Sequence, residues 1–270
     1  MTEPLILLTN DDGIRSPGLW AAAEALDPLG FVTVVAPREQ SSGTGRSMPI
    51  TSDGKIRPEE VEVNGKTWTV HAVGGTPAQA VLHGVLEIAS RKPDLAVSGI
   101  NYGLNVGTGV TVSGTVGAAL EASASGIPSL AVSLDTEDQY HLSHATHIDF
   151  STAAYFTKYF ARILLERQLP EDVKVLKIEI PADATPETPW KITRLSPIRY
   201  YAVIPPERES YDSETRIGYR VSDDWDNAPP DSDIHAVHID KVVSVTPLSL
   251  DLTARVDLRE LEKELKHGSA

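Results

Sequence analysis

Two adjacent carboxylates, Asp11 and Asp12, follow an unbroken apolar run that begins at Leu5. An apolar run without alternation is typical of a strand buried on both faces, as in a parallel sheet. Carboxylates at the end of such a strand are costly, because an unpaired buried charge is unfavourable by several kcal/mol. A cation bound beside them offsets that cost. Since α/β proteins bind ligands at the carboxyl ends of their strands, the pattern predicts a divalent-metal site at the end of the first strand.

Three further polar segments follow predicted strands or open a helix, and their oxygen atoms suit the same site. They are residues 40–45 (QSSGTG), 74–76 (GGT) and 101–115 (NYGLNVGTGVTVSGT). The carboxyl ends of parallel strands share one rim, so these segments should converge there. Carboxylate, amide and hydroxyl oxygens favour Mg²⁺, Mn²⁺ or Ca²⁺ over Zn²⁺. Ser113-Gly114-Thr115 opens a predicted helix, whose free N–H groups and positive dipole end suit a phosphate.

Each pattern also has an ordinary structural interpretation. An Asp-Asp-Gly sequence is often a simple turn, residues 41–43 are compatible with a flexible linker, and a lone Ser113 is most often a helix N-cap. His141, His144 and His147 are spaced like a metal-binding helix face, but they lie outside the strand-end motifs. We therefore expect these three histidines on an exposed loop.

The elements that must position these residues alternate between strands and helices. In addition to the first strand, apolar runs predict strands at residues 31–36, 94–99 and 127–134. Helix starts are predicted at Ser16-Pro17, Thr76-Pro77 and Ser113. This alternation predicts an α/β fold with a doubly wound, Rossmann-like, mostly parallel sheet. The pattern around Asn64-Gly65 predicts an antiparallel hairpin that departs from the sheet.

The character of the chain changes after Pro181, where proline and charged residues become frequent. We divide the chain into an α/β catalytic core, residues 1–181, and a C-terminal part, residues 182–270. The second part should contain an extended arm or hairpin, a polar loop at residues 223–233, a last strand and a terminal amphipathic helix. An arm with little core of its own should pack on the core or on a partner subunit, so we expect it to serve oligomerisation.

The composition limits the classes of function. The formal net charge of −14 argues against binding to long nucleic acid, which requires basic patches. The chain has no cysteine, which excludes disulfides and thiolate chemistry. No apolar run approaches the roughly 20 residues that cross a bilayer. We therefore expect a cytoplasmic protein without membrane association.

Several segments taken together resemble the SurE family of stationary-phase survival proteins. The matching stretches are ILLTNDDGIRSPG (6–18), VVAPREQSSGTG (34–45), GGTPAQAV (74–81), PDLAVSGINYGLNVGTGVTVSGTVGAALEA (93–122), GIPSLAVSL (126–134) and SVTPL (244–248). The resemblance implies a metal-dependent phosphatase that hydrolyses nucleoside monophosphates and other small phosphate esters. The 5′-phosphate is the expected target, with the 3′-phosphate as a second candidate.

The resemblance also implies particular site residues and an assembly. One divalent ion per subunit, Mg²⁺ or Mn²⁺, would be held by Asp11, Asp12, Ser42 and Asn101. Ser41 remains an alternative to Ser42, because the sequence at this point, REQSS, departs from the family's usual pattern. The family further implies a homodimer or homotetramer with exchanged C-terminal segments.

On this hypothesis, the phosphate is bound by Gly43 and by the helix start at Ser113, Gly114 and Thr115. A water molecule positioned at the metal is the nucleophile, and no catalytic side chain is assigned. Asn10 is a candidate helper that orients the carboxylates or touches the phosphate. Covalent attack by Asp11 is the less favoured alternative.

Two other classes of function explain part of the pattern. A non-catalytic nucleotide- or flavin-binding module accounts for the phosphate-friendly loops, but paired carboxylates repel a phosphate unless a cation lies between them. A scaffold assembled through the C-terminal part would make that part, rather than the strand ends, decisive for function.

Overall fold

The protein is described by a computed structural model that covers residues 3–141 and 145–267. The strands are β1 Leu5–Thr9, β2 Phe31–Pro37, β3 Ile56–Val63, β4 Lys66–Val73, β5 Leu95–Tyr102, β6 Ser129–Leu134, β7 Val175–Ile180, β8 Trp190–Ile192, β9 Tyr201–Ile204, β10 Gly218–Val221 and β11 Val243–Leu248. The helices are α1 Pro17–Leu26, α2 Pro77–His83, α3 Gly114–Ala124, α4 Ser151–Glu166, α5 Asp233–His238 and α6 Leu258–His267.

Within the described residues, nine of the strands form one sheet in the order β3-β4-β2-β1-β5-β6-β7-β11-β8. From β4 to β7 every neighbouring pair is parallel. Antiparallel pairs occur where β3 meets β4 and where β11 meets β7. The predicted mostly parallel α/β sheet is confirmed, and its parallel centre brings the carboxyl ends of β1, β2 and β5 to one rim.

Helices cover both faces of this sheet. Ile6 and Leu8 of β1 belong to a core cluster with residues of α1 and α4, whereas Leu7 belongs to a second cluster with residues of α2 and α3. Successive side chains of a strand point to opposite faces, so two covered faces require an apolar residue at every position. This requirement explains the unbroken apolar run that precedes the two carboxylates.

Two local predictions differ from the structure. The hairpin around Asn64-Gly65 forms as expected, but β4 pairs in parallel with β2, so the hairpin extends the main sheet rather than leaving it. The pairing satisfies backbone groups that β2 would otherwise expose at a sheet edge. Ser16 precedes α1 in an extended conformation, yet its hydroxyl makes no capping hydrogen bond. Thr76 and Ser113 do cap their helices.

The C-terminal part contributes to the main sheet through β8 and β11, while β9 and β10 pair only with each other in a separate small sheet. The predicted polar loop at residues 223–233 ends where α5 begins, at Asp233. Residues 251–267, which include α6, are exposed throughout. The division at residue 181 falls after β7 and stays a prediction. Across the described residues, no helix combines the length and apolar character needed to cross a membrane.

Candidate metal and phosphate site

A tight turn after β1 sets the position of the two carboxylates. Asn10 closes this turn on itself, because its Oδ1 accepts from the backbone N–H of Gly13 at 3.2 Å and its Nδ2 donates to the Gly13 carbonyl at 3.1 Å. Gly13 has φ of +95°, a conformation that glycine adopts without strain. Asn10 is fully buried. The structure therefore gives the amide of Asn10 a role in shaping the turn that carries Asp11 and Asp12.

Asp11 is buried against the start of α3. The hydroxyl of Thr115 donates to Asp11 Oδ1, and a Cβ at position 114 would lie 2.8 Å from Asp11 Oδ2, so only glycine fits at Gly114. Burial raises the pKa of Asp11, although the Thr115 hydroxyl and the backbone N–H groups of Gly114 and Thr115 oppose the shift. The positive end of the helix dipole also favours the ionised carboxylate.

Asp12 is held by neutral hydrogen-bond donors from two other segments. Its Oδ1 accepts from Gln40 Nε2 at 3.1 Å, and its Oδ2 accepts from the backbone N–H of Tyr102 at 3.3 Å. Burial, and then the neighbouring charge of Asp11, raise the pKa of Asp12 well above its usual value. A divalent cation bound beside two buried carboxylates would offset the cost of burying both and the effect of Asp11 on Asp12.

Gln40 joins the loop after β2 to these carboxylates. The same Nε2 that lies beside Asp12 is 3.1 Å from Ser42 Oγ and 2.7 Å from the carbonyl oxygen of His141. Ser42 lines a cavity at the rim together with Asp11. The hydroxyl of Ser41 instead faces the carbonyl of Glu39 at 3.4 Å. Of the two serines, the contacts therefore favour Ser42 as a candidate ligand.

Asn101 reaches the site from an irregularity in β5, where the pairing with β6 shifts between Ser98 and Asn101. Such a bulge redirects side chains. The amide nitrogen of Asn101 donates to the carbonyls of Tyr102 and Gly103 at 3.0 and 2.7 Å. Its oxygen is therefore turned the other way, to 3.1 Å from the hydroxyl of Thr115 beside Asp11. An oxygen fixed in this direction is suited to ligate a cation.

The rim encloses a cavity of about 420 Å³. Asp11, Ser42 and Asn101 line it, and the predicted phosphate-binding residues Gly43 and Ser113 line it as well. The other two predicted phosphate-binding residues, Gly114 and Thr115, are the ones that contact Asp11. Ser113 Oγ accepts from the N–H of Val116 as an N-cap, which leaves its hydroxyl hydrogen able to donate.

The donors present fit a hard divalent cation. Asp11, Ser42 and Asn101 line the cavity, and Asp12 is linked to Ser42 because Gln40 Nε2 lies beside both. Gly114 leaves the space that the carboxylate of Asp11 needs, and carboxylate, amide and hydroxyl oxygens are the ligands that hard cations prefer. In the described ranges, no group of three or more His, Asp or Glu side chains gathers as a metal site. The candidate site accordingly depends on neutral oxygen ligands beside the aspartate pair, which suits Mg²⁺ or Mn²⁺ better than Zn²⁺.

The prediction for the histidines needs correction at one residue. His147 is exposed as predicted, and His144 lies outside the described residues. His141 is only 7% exposed and lines the cavity, so the expectation of an exposed loop is wrong for this residue. Sequence reasoning placed Gln40 in the predicted segment 40–45 but assigned no role to its side chain. Both residues reach the site through contacts between distant segments, for which the local pattern gives no signal.

The fold and the site together define a class of protein. It is an α/β protein with a doubly wound sheet and a candidate cation site at the strand ends, beside the start of a helix. The comparison with known families is more specific. The chain belongs to the SurE family, because the family model described as "Survival protein SurE" matches residues 6–202.

Relatives and solved structures agree with this assignment over nearly the whole chain. A protein named 5′-nucleotidase SurE from Thermococcus gammatolerans is 44% identical over 264 residues, which cover 96% of this chain and 95% of the relative. A protein of the same name from Archaeoglobus fulgidus is 44% identical over 259 residues, or 95% of each chain. The crystal structure of the SurE protein from Aquifex aeolicus has a TM-score of 0.76 at 33% identity, covering 99% of this chain and 100% of that one.

Proposed function

We propose that this SurE-family chain is a metal-dependent phosphomonoesterase that acts as a 5′-nucleotidase on nucleoside monophosphates. The names of its relatives support this activity. The observation that carries the proposal is the buried pair Asp11 and Asp12, of which Asp11 lines a cavity together with Ser42 and Asn101. The 3′-phosphate and other small phosphate esters are the second candidates as substrates.

The proposed ligands of one divalent ion, Mg²⁺ or Mn²⁺, are Asp11, Asp12, Ser42 and Asn101. When bound there, such an ion supplies charge stabilisation for the phosphoryl group and lowers the pKa of a water molecule. Thr115 orients Asp11 by donating a hydrogen bond to it. Gln40 donates to Asp12, and its Nε2 lies 3.1 Å from Ser42 Oγ, so it sets Asp12 beside Ser42. These two residues therefore act through the ligands.

The proposed phosphate site lies at Gly43 and at the start of α3. Ser113 can donate its hydroxyl hydrogen there, and Gly114 and Thr115 contribute the backbone N–H groups of a helix start. Gly43 has φ of +74°, and a Cβ at this position would meet nothing within 4 Å, so its backbone faces open space. Donors fixed in advance stabilise negative charge that develops on the phosphoryl oxygens during hydrolysis.

Release of inorganic phosphate tests this proposal. The chain should release phosphate from AMP and GMP with Mn²⁺ or Mg²⁺ present. EDTA should abolish the activity, and excess metal should restore it. A non-catalytic nucleotide- or flavin-binding module predicts binding of AMP without any release of phosphate. That outcome, with metal present, would overturn the proposal.

We further propose a cytoplasmic homodimer or homotetramer in which C-terminal segments are exchanged, built from a core of residues 1–181 and a C-terminal part of residues 182–270. Residues 251–267 support this assembly, since they are exposed and include the apolar side chains of Leu252, Leu258 and Leu265. Light scattering on the full chain and on the double variant Leu258→Glu/Leu265→Glu tests it. A wild-type monomer, or an unchanged mass in the variant, would contradict the proposal.

A further inference from the structure

The cavity at the candidate site is lined by two chemically different sets of side chains. The polar set includes Asp11, Ser42 and Ser113, which the proposed function uses. The other set is the aromatic rings of His141, Tyr201 and Tyr219, which hydrolysis of a phosphate ester does not require. The cavity of about 420 Å³ lies within the roughly 300–1,000 Å³ that small-molecule sites occupy. It therefore offers room for more than a phosphate.

The three rings form a continuous aromatic wall, by which we mean His141, Tyr201 and Tyr219. The rings of Tyr201 and Tyr219 meet edge to face, with centroids 5.2 Å apart and planes at 70°. The rings of His141 and Tyr219 are nearly parallel, with centroids 6.2 Å apart and planes at 19°. Tyr219 remains 40% exposed although it lines the cavity. Part of the wall is thus available to a ligand.

Hydrogen bonds fix the orientation of the wall. His141 Nε2 lies 3.1 Å from the carbonyl of Thr136, which only accepts, so Nε2 carries the hydrogen. Burial lowers the pKa of His141, and the ring is therefore neutral at neutral pH with a free lone pair on Nδ1. Nδ1 lies 3.3 Å from the hydroxyl oxygen of Tyr219, which donates to it. A surface ordered before binding loses little entropy when a ligand arrives.

The wall also contacts the segments that carry the candidate metal ligands. A Cβ at position 103 would lie 2.3 Å from His141 Nε2, so glycine at Gly103, two residues after Asn101, is what allows the imidazole to pack there. Gln40 donates to the backbone carbonyl of His141 at 2.7 Å and lies 3.1 Å from Ser42 Oγ. The aromatic wall and the candidate metal ligands are consequently held in one fixed arrangement.

We propose, building on the proposed function, that the aromatic wall binds the nucleobase of the substrate by stacking and makes the cavity selective for nucleotides over phosphate esters without a ring. Every base has a π face, so the wall accepts several bases, and purines stack over a larger area than pyrimidines. The wall thus determines substrate class, while the strand-end oxygens serve the phosphate.

Substrate comparison with variants of Tyr219 tests the inference. Tyr219→Ala should raise the KM for AMP relative to the KM for glycerol 2-phosphate by about 5- to 100-fold, as expected for loss of one base–aromatic stack. Tyr219→Phe keeps the ring but loses the hydrogen bond to His141 Nδ1, so it should raise this KM ratio less than Tyr219→Ala does. Tyr211→Ala is the matched control, because Tyr211 lies between β9 and β10 and is 97% exposed.

Binding of adenosine gives a second measurement that does not depend on hydrolysis. Calorimetry should show adenosine binding to the wild-type chain and weaker binding to Tyr219→Ala and Tyr219→Leu, the second of which preserves an apolar side chain for folding. An unchanged KM ratio together with unchanged adenosine binding would overturn the inference while leaving the proposed function standing. Adenosine binding that depends on Tyr219, without release of phosphate from either ester, would overturn the proposed function alone.

Discussion

Two pairs of buried carboxylates, one following β1 and the other on β7 and α5, have different neighbours. Glu179 and Asp233 share the ammonium group of Lys177, whose Nζ lies 3.3 Å from Glu179 Oε1 and 3.1 Å from Asp233 Oδ2. All three side chains are fully buried. Asp11 and Asp12 are also buried, but the contacts described above come from Thr115, Gln40 and a backbone N–H. In the described part of the chain, no Lys or Arg side chain forms an ion pair with Asp11.

This difference distinguishes Glu179 and Asp233, a structural pair, from Asp11 and Asp12, the candidate metal ligands. Burial acts to lower the pKa of Lys177, but the charges of Glu179 and Asp233 outweigh it and raise that pKa, so the ammonium stays charged. The chain therefore supplies its own cation at one pair. At the other pair, burial raises the pKa of both aspartates, and the cavity leaves Asp11 accessible to a cation from solution. A buried carboxylate that a cation from solution can reach is suited to bind a metal.

The largest expected effect is the loss of stability when the buried cation, Lys177, is replaced. Lys177→Met leaves Glu179 and Asp233 buried without their shared ammonium and should lower the free energy of unfolding by about 3–5 kcal/mol. Chemical denaturation measures it. Lys191→Met is the control, since the pair of Lys191 and Asp240 is about one-third exposed and should cost at most about 1 kcal/mol. Equal stability of the two variants would remove the distinction between a buried and an exposed pair.

At Asp11 and Asp12 we expect the reverse, a large loss of activity without a loss of stability. Asp11→Asn should lower kcat/KM for AMP by about 1,000-fold, or ~4 kcal/mol in transition-state stabilisation, because a ligand of the ion is lost. The free energy of unfolding of the metal-free chain should stay unchanged or increase, since a neutral amide is easier to bury than a carboxylate. Activity close to wild type, or a loss of stability as large as that of Lys177→Met, would contradict the comparison.

A smaller effect should follow when a positioning residue is changed. Thr115→Val keeps the side-chain shape but removes the hydroxyl that donates to Asp11, and should weaken Mn²⁺ binding by about 10- to 100-fold. Calorimetric titration of the metal measures this change. Thr157→Val is a matched control, because Thr157 is equally buried in α4 and its hydroxyl donates to the carbonyl of Ala153. The same affinity in both variants would mean that Thr115 has no special role.

The smallest effect distinguishes the two serines of the loop after β2. Ser42→Ala should weaken Mn²⁺ binding by about 10-fold, or ~1.4 kcal/mol, the scale expected for loss of one neutral ligand. Ser41→Ala should leave the affinity unchanged, because the hydroxyl of Ser41 faces the carbonyl of Glu39. The same titration performed on both variants decides the question. Weaker binding only in Ser41→Ala would transfer the ligand assignment to Ser41.

The sequence predicts the pair Asp11 and Asp12 but not the pair Glu179 and Asp233, and the reason is physical. Asp11 and Asp12 follow the apolar run of residues 5–8 after only two residues, so burial, charge and position at a strand end are all visible in a short segment. Lys177 and Glu179 lie in an apolar strand, and their partner Asp233 is 56 residues from Lys177 in the chain. No local sequence pattern indicates the contact between Lys177 and Asp233.

The same limit applies to the candidate site. The positions of Ser42, Asn101 and Ser113 near the ends of strands or at the start of a helix follow from local patterns of strand, loop and helix. The role of Gln40 depends on its contact with the carbonyl of His141, 101 residues away. The aromatic wall depends on a hairpin, β9 and β10, that pairs outside the main sheet. Only tertiary structure brings these groups together.

Anomalous diffraction from crystals soaked in Mn²⁺ tests the central claim most directly. We expect one anomalous peak per chain, within ligand distance of the carboxylates of Asp11 and Asp12 and of the oxygens of Ser42 and Asn101. The peak should disappear in crystals of Asp11→Asn. A wild-type crystal with no peak beside this aspartate pair, at a Mn²⁺ concentration that supports hydrolysis of AMP, would contradict the account.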